Sequence, residues 1–423
     1  MATISMLKPN KMDDLEESRK ISLQCLDCGY TQTVGERIQS ICPKCGSNLI
    51  ANFFRSRRDL NRQMRLKWQD HLRSRENSIW RYRELLPVAN PENIVSMGEG
   101  VTPLLHAKKL GAMLGLERLY IKDERQGPTG SFKDRQASVA ISVMKERGIT
   151  EFALASTGNV ALAYAAYAAR AGIKMWAFVV ENIPDPKLRE ICLFGTEVIK
   201  VRGTYDQVKV IAANFAEEKG IFLDRGIKNM AGVAGMKTLA FELAEQLHWR
   251  SPDWYIQGVS GGMGPAGVAK GFEELKELGF VDKVPALGII QPSGCAPMVK
   301  AFKAGEATAT PVLNPQTNIM PLATGTPGQA YELLKGLVDR YGGTMEDASD
   351  EDAYATTRVV ATTEGISVEP AAALAFAGTI KLAKQGAIKP NDVVVVNCCG
   401  HTYPVEEHIT EGSVVRTIIV DES

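Results

Sequence analysis

The 423-residue sequence has no net charge: Lys plus Arg and Asp plus Glu each number 49. That balance gives no support for a nucleic-acid or anionic-membrane partner, since both select for a basic surface. A local basic run, Arg55 to Arg75, is broken by acids and glutamines and reads as a solvated helix or connector. An apolar N-terminal run is also missing. The chain soon turns acidic at Asp13, Asp14, Glu16 and Glu17, so no secretory or transit segment is expected. Long hydrophobic runs are absent as well. The most apolar stretch, 152–172, contains Ser156, Thr157, Gly158, Asn159 and Arg170. It is a poor membrane span and a better strand followed by a helix. A cytoplasmic protein is therefore expected. Repeats and low-complexity tracts are lacking. What is present, 45% hydrophobic and 23% charged residues, is the composition of a globular protein. The length suits two or three packed units.

Cysteines are few, eight in all, and four of them lie in the first fifty residues as two pairs. Cys25-Leu-Asp-Cys28-Gly29 is followed by Cys42-Pro-Lys-Cys45-Gly46. Two intervening residues let both thiolates of a pair face one point, and the following glycine permits the tight turn. With no export signal, this spacing points to metal before disulfides. Cys25, Cys28, Cys42 and Cys45 are candidate ligands of one structural zinc ion in a zinc ribbon. Iron, or thiols without metal, are the alternatives.

From about residue 117 the sequence alternates strand and helix. Strands are expected at Leu119 to Lys122, Glu151 to Ala155, Lys174 to Val180, Glu197 to Val201 and Ile221 to Asp224. Further strands are expected at Trp254 to Val259, Ala286 to Gln291 and Val393 to Val396. Helices are expected at Ser131 to Arg147, Val160 to Arg170, from near Pro186 to Gly195, Asp206 to Lys219 and Ala266 to Leu278. In the first helix Ala137, Ala140, Ile141 and Met144 share one face, and Ser131 with Asp134 forms a capping-box pattern. Repeated β-then-α order means parallel sheets with helices on both faces.

Three loops follow strands and open helices, where doubly wound folds bind ligands. In Pro128-Thr-Gly-Ser-Phe-Lys133-Asp-Arg135, Lys133 lies in the first turn of a helix. The positive end of the helix disfavours its ammonium form, which helps a nucleophile; a plain surface lysine is the alternative. Ser156-Thr157-Gly158-Asn159 suits an anion such as a carboxylate, or is a simple helix cap. Ser260-Gly261-Gly262-Met263-Gly264-Pro265 can cradle a phosphate on its amides, with Pro265 at the first helical position, or is a structural turn. It lacks the lysine of a nucleotide-binding P-loop.

Together these loops bring out a resemblance. Residues 78–402 resemble threonine synthase and its relatives, the fold-type-II pyridoxal phosphate (PLP) enzymes. The matching pieces are Gly98-Glu-Gly-Val-Thr-Pro-Leu104, Pro128 to Arg135, Ser156 to Asn159, Gly261 to Gly264 and Thr363-Glu-Gly-Ile-Ser-Val-Glu-Pro370. The resemblance implies two doubly wound, Rossmann-like α/β domains, tryptophan-synthase-β-like, preceded by the ribbon. The division expected is 1–52 ribbon, 53–97 connector and 98–423 catalytic region, with about 141–234 as a smaller inserted domain. The resemblance also implies a Schiff base between PLP and Lys133, which is then the base for the α-proton. Asn159 would bond the cofactor ring oxygen, and Gly261, Gly262, Met263 and Gly264 the cofactor phosphate. Ser156 and Thr157 would receive the substrate carboxylate. Cys398, or alternatively Cys399, would sit beside the pyridine nitrogen. An amino-acid substrate and a homodimer follow from the same likeness.

The match departs from the family where a second substrate anion is held. Val160 and Ala161 stand where the pattern is polar, and Gly232 where an arginine is expected. No arginine occurs between Arg225 and Arg250. Lys228, Lys237 and Arg135 are the available substitutes. The reading is a PLP-dependent carbon–oxygen lyase, threonine synthase first and a serine/threonine ammonia-lyase or β-replacement paralogue second. A non-catalytic metal-ribbon protein is disfavoured by the intact Lys133, Asn159 and glycine loop. A nicotinamide dehydrogenase is disfavoured by the missing G-x-G-x-x-G.

Overall fold

A computed structural model describes residues 22–25, 30–33, 43–44, 49–52 and 62–401. Strands β1 (Ser22–Cys25), β2 (Thr31–Thr33) and β3 (Leu49–Asn52) form a small antiparallel sheet in the order β2-β1-β3. The expected metal ligands Cys28, Cys42 and Cys45 lie outside the described residues, as does the Cys25 side chain. The basic run ends in helix α1 (Arg62–Ser74). It is not wholly solvated: Trp68 and Leu72 are buried, and the Trp68 ring lies 5.1 Å from that of Phe280.

The remainder is a chain of strands and helices. After β4 (Leu104–His106), α2 (Lys108–Leu114) and β5 (Arg118–Asp123) comes α3 (Lys133–Glu146). There follow β6 (Glu151–Ser156), α4 (Asn159–Ala171), β7 (Lys174–Val180), α5 (Asp185–Leu193), β8 (Glu197–Val201), α6 (Tyr205–Lys219) and β9 (Phe222–Asp224). Next are α7 (Met230–Gln246), β10 (Trp254–Gly258), α8 (Met263–Glu277), β11 (Ala286–Pro292), α9 (Pro297–Lys303) and α10 (Gln329–Tyr341). The series closes with β12 (Gly343–Ala348), α11 (Asp350–Glu364), α12 (Pro370–Lys384) and β13 (Val393–Cys398).

Two sheets organise these elements. A six-stranded sheet has the order β12-β11-β10-β13-β5-β4, parallel except for the edge strand β4. A four-stranded parallel sheet, β8-β7-β6-β9, is built wholly from residues between β5 and β10. Each sheet has its own buried cluster. The run Val393-Val-Val-Val396 is β-branched throughout and runs down the middle of the larger sheet, as a strand covered on both faces must. Helix α4 is buried from Ala161 to Ala168, which its alanines permit by letting neighbours approach closely.

Two local expectations are corrected. The capping box at Ser131 does not form. Helix α3 starts at Lys133, and the Asp134 carboxylate instead accepts from Thr129 N at 3.0 Å and Thr129 Oγ1 at 2.7 Å. Helix α8 starts at Met263, so Pro265 falls later in its first turn, where a missing amide is equally harmless.

Candidate functional site

Strands β10, β13 and β5 are adjacent and parallel, so the loops at their carboxyl ends meet. The Pro128–Lys133 loop is fastened to the segment after β13. Phe132 N donates to Cys399 O at 3.0 Å, and His401 N donates to Gly130 O at 3.0 Å. Gly130 sits at φ +73°, a conformation that suits glycine.

Lys133 is half-buried, with its Nζ 3.9 Å from the centre of the Phe132 ring. Burial lowers its pKa to about 8, against opposing effects of Cys399 and Glu369. Burial also pushes the Cys399 thiol far up, so at neutral pH it is uncharged and Glu369 is the anion that Lys133 feels. A lysine poised in this way is neutral often enough to attack an aldehyde or take a proton.

Glu369, 3% exposed, is the hub of the site. Asn159 Nδ2 donates to its Oε1 at 3.0 Å and to its Oε2 at 3.2 Å. Lys187 Nζ lies 3.5 Å from Oε2, and Cys399 Sγ donates towards Oε1 at 3.9 Å. A Cβ on Gly400 would collide with the same carboxylate, which explains the glycine there. Glu369 lay inside a motif matched by sequence but carried no assigned role. Lys187 stood on a helix with no local signal, and the fold brings it in.

The glycine loop has the form of an anion cradle. Gly262, at φ +77°, caps α8 without a side chain. The amides of Gly261, Gly262, Met263 and Gly264 donate to no protein acceptor among the described residues. Unpaired amides at a helix N-terminus suit a phosphate, and a half-buried, pKa-lowered lysine suits an aldehyde. The residues present therefore fit PLP.

The other expected residues have their own surroundings. Ser156 is buried, and its Oγ accepts from Gly158 N and Ala161 N, both at 3.0 Å. It braces the loop, beside half-buried Thr157. The two candidates for the pyridine nitrogen, Cys398 and Cys399, lie in different surroundings. Cys398 is fully buried, paired in register with Asp123 and influenced by the Asp123–Arg125 ion pair. Strand alternation turns the next residue the other way, and Cys399 donates towards Glu369 and is influenced by Lys133 and Lys187.

The substitute cations are largely withdrawn. Arg135 is buried between Glu124 (Nε to Oε2, 2.6 Å) and Glu242 (Nη1 to Oε1, 2.6 Å; Nη2 to Oε2, 2.7 Å). Lys237 is buried with both its Glu274 contacts at 2.8 Å. A Cβ on Gly232 would lie 3.1 Å from Gln136 Cγ and 3.4 Å from Met263 Cε, so a side chain there would have to displace these two.

Comparison with known proteins agrees with this geometry. A family profile described as pyridoxal-phosphate dependent enzyme matches residues 95–400. The threonine synthase of Methanocaldococcus jannaschii is 35% identical over 89% of this chain and 91% of its own. That of Methanosarcina acetivorans is 34% identical over 90% and 91%. Among solved structures, the processed form of threonine deaminase isoform 2 from Solanum lycopersicum superposes with TM-score 0.63 at 19% identity, covering 84% of this chain and 95% of that one. Diaminopropionate ammonia lyase from Escherichia coli gives TM-score 0.64 at 18% identity over 75% and 88%. These two share the fold. No helix among the described residues is long and apolar enough to cross a membrane. With the lysine, the cradle and the sequence match all in place, the chain belongs to the pyridoxal-phosphate dependent enzymes, as a lyase of the threonine-synthase-like kind.

Proposed function

We propose that the enzyme converts O-phospho-L-homoserine and water to L-threonine and phosphate. The observation that carries this reading is the 35% identity to a threonine synthase across 89% of the chain, with Lys133 and the glycine cradle intact.

When bound, PLP supplies an aldehyde for the substrate amine and a ring that delocalises electrons released at Cα. The rest falls to the protein. The amides of Gly261 to Gly264 hold the cofactor phosphate, and Lys133 Nζ is the attachment point. Asn159, kept in place by Glu369, orients the ring oxygen. Cys399 is the neutral group by the ring nitrogen, where it neither donates nor demands a charge. Thr157 and the amides opening α4 take the substrate carboxylate. Between substrate and product, Cγ exchanges phosphate for hydrogen, and Cβ exchanges hydrogen for the hydroxyl of water. Protons must therefore move between neighbouring carbons, and Lys133 Nζ is placed to carry them.

We extend the reading to three further points. Cys25, Cys28, Cys42 and Cys45 hold a structural zinc ion, which elemental analysis of the purified protein tests. The active form is a cytoplasmic homodimer, which light scattering tests for the assembly. Residues of about 141–234 act as the smaller of two catalytic domains.

A second reading, a serine or threonine ammonia-lyase, draws on the withdrawal of Arg135 and Lys237 into buried ion pairs. One assay separates the two. The PLP-loaded protein is given O-phospho-L-homoserine, and phosphate and threonine are measured; L-serine and L-threonine are tested alongside for ammonia. Equal phosphate and threonine support the synthase. Ammonia and a 2-oxo acid alone would sink it.

A further inference from the structure

We infer that Asp206 is a positioning residue for the glycine cradle, acting on it through Thr326, Gly325, Thr324 and Ser260. The inference rests on the reading that this cradle holds the cofactor phosphate.

The connection from α9 to α10, residues 304–328, contains a single helical turn, Met320–Leu322. Connections so long with so little regular structure are uncommon in compact folds. This one is fastened along its course. Gln316 N donates to Gly294 O at 2.9 Å and Val312 N to Gly325 O at 3.0 Å. Ile319 and Leu322 belong to the buried cluster of the six-stranded sheet. The end of the connection then makes two contacts with residues distant in the chain. The hydroxyls of Thr324 and Ser260 share a hydrogen bond, and Thr326 N donates to Asp206 Oδ2 at 3.1 Å. Asp206 lies in the first turn of α6, which packs into the cluster of the other sheet through Val208, Ala212 and Ala216. Between the two contacts stands Gly325. A Cβ there would lie 2.0 Å from Val312 O and 3.3 Å from Asp206 Oδ2, so the close passage requires glycine.

The cradle depends on what holds its ends. A Cβ on Gly261 would meet nothing within 4 Å, so the middle of the loop leans on no neighbour. Before it, Val259 N donates to Ile290 O at 2.7 Å, and Ser260 is tied to Thr324. After it, Gly262 rests on α10: a Cβ there would lie 2.8 Å from Leu334 Cδ1 and 3.6 Å from Ala330 Cβ. Thr324 to Thr326 lead directly into α10, so the bond to Asp206 steadies both supports. Amides that already converge bind an anion without a further ordering cost. The other Asp206 oxygen pairs with Lys209, one turn along the same helix and partly exposed. Such a pair contributes little, which leaves the Thr326 amide as the contact that matters.

The test measures, by cofactor absorbance on the full-length enzyme, the affinities for PLP and for pyridoxal, which lacks the phosphate. The ratio of the two is the readout, because general damage weakens both alike. Urea unfolding of each apoenzyme checks that the variant is folded. We expect Asp206→Ala and Thr324→Val each to lower the preference for PLP by roughly 3- to 10-fold. The double variant should fall no further than the weaker single one, since both cut one bridge. Lys209→Met should keep the wild-type ratio. An unchanged ratio in Asp206→Ala overturns the inference, as does equal weakening of PLP and pyridoxal. So do losses that multiply in the double variant, or a loss in Lys209→Met that matches Asp206→Ala. Gly262→Ala tests the underlying reading. A wild-type ratio there would put the phosphate outside the cradle and remove both conclusions. A lowered ratio in Gly262→Ala beside an unchanged one in Asp206→Ala would overturn this inference alone.

Discussion

Asn159 grips Glu369 through a single nitrogen, reaching one carboxylate oxygen at 3.0 Å and the other at 3.2 Å. The same carboxylate raises the pKa of Lys133, against the larger lowering effect of burial. Replacing Glu369 by Gln removes the raising effect. The Lys133 amine should then lose its proton at lower pH. Cofactor capture by the apoenzyme, followed by absorbance, should rise with pH around a midpoint near 8 in the wild type and lower in Glu369→Gln. A midpoint that stays or climbs would contradict the arrangement.

Lys133→Ala should abolish the absorbance band of covalently held cofactor and reduce turnover by at least roughly 10²- to 10⁴-fold, the usual scale of a lost general base. Persistence of the band in the purified variant would place the attachment on another lysine.

Two glycines of the cradle should behave differently. A Cβ on Gly262 would sit 2.8 Å from Leu334 Cδ1 on a backbone at φ +77°. Gly262→Ala should cost about 1–3 kcal/mol of stability and weaken PLP retention. A Cβ on Gly261 meets nothing within 4 Å of protein. Gly261→Ala should leave the apoenzyme melting temperature where it was. Equal losses in the two variants would mean the loop is not held as described.

The ion pairs around Arg135 should be a stability element with a defined pH response. Despite its burial, Glu242 is held down to a pKa of about 2 by Arg135 and Lys122. Its folded pKa lies below the unfolded value of about 4.3. The stabilisation is therefore present above that value and lost as pH falls towards about 2. Glu242→Gln should flatten the acid limb of urea unfolding in that window. Arg135→Met, which leaves Glu124 without its cation and Glu242 with Lys122 alone, should cost about 3–5 kcal/mol at neutral pH. A mild loss from Arg135→Met would argue that the two carboxylates are protonated or hydrated in the fold.

Much of the fold was legible because its strands and helices are sequence-local patterns. The bounds of Lys174–Val180 and Glu197–Val201 agree residue for residue. The loops that carry Lys133, Asn159 and the glycines stand out in the sequence because each follows a strand and has its own composition. Glu369 and Lys187 were not assigned. Their meaning comes only from the fold, which brings residues far apart in sequence within 3.5 Å. Spacing alone does not tell whether Ser156 faces a ligand or its own backbone; in the fold its Oγ accepts from two amides. The choice between Cys398 and Cys399 depends on where the strand's alternation falls at its last residue, which spacing alone leaves open.

The bonds between Gly130 and His401, and between Phe132 and Cys399, also bear on biosynthesis. The four-stranded sheet uses only residues 151–224 and can assemble while later segments are still being made. The larger sheet must wait, because β13 separates β5 from β10 and is the last strand of that sheet to leave the ribosome. Until residue 401 has emerged, the Lys133 loop has no seat. A nascent chain should therefore be unable to capture its cofactor early, and premature termination anywhere before β13 leaves a lysine with no site around it.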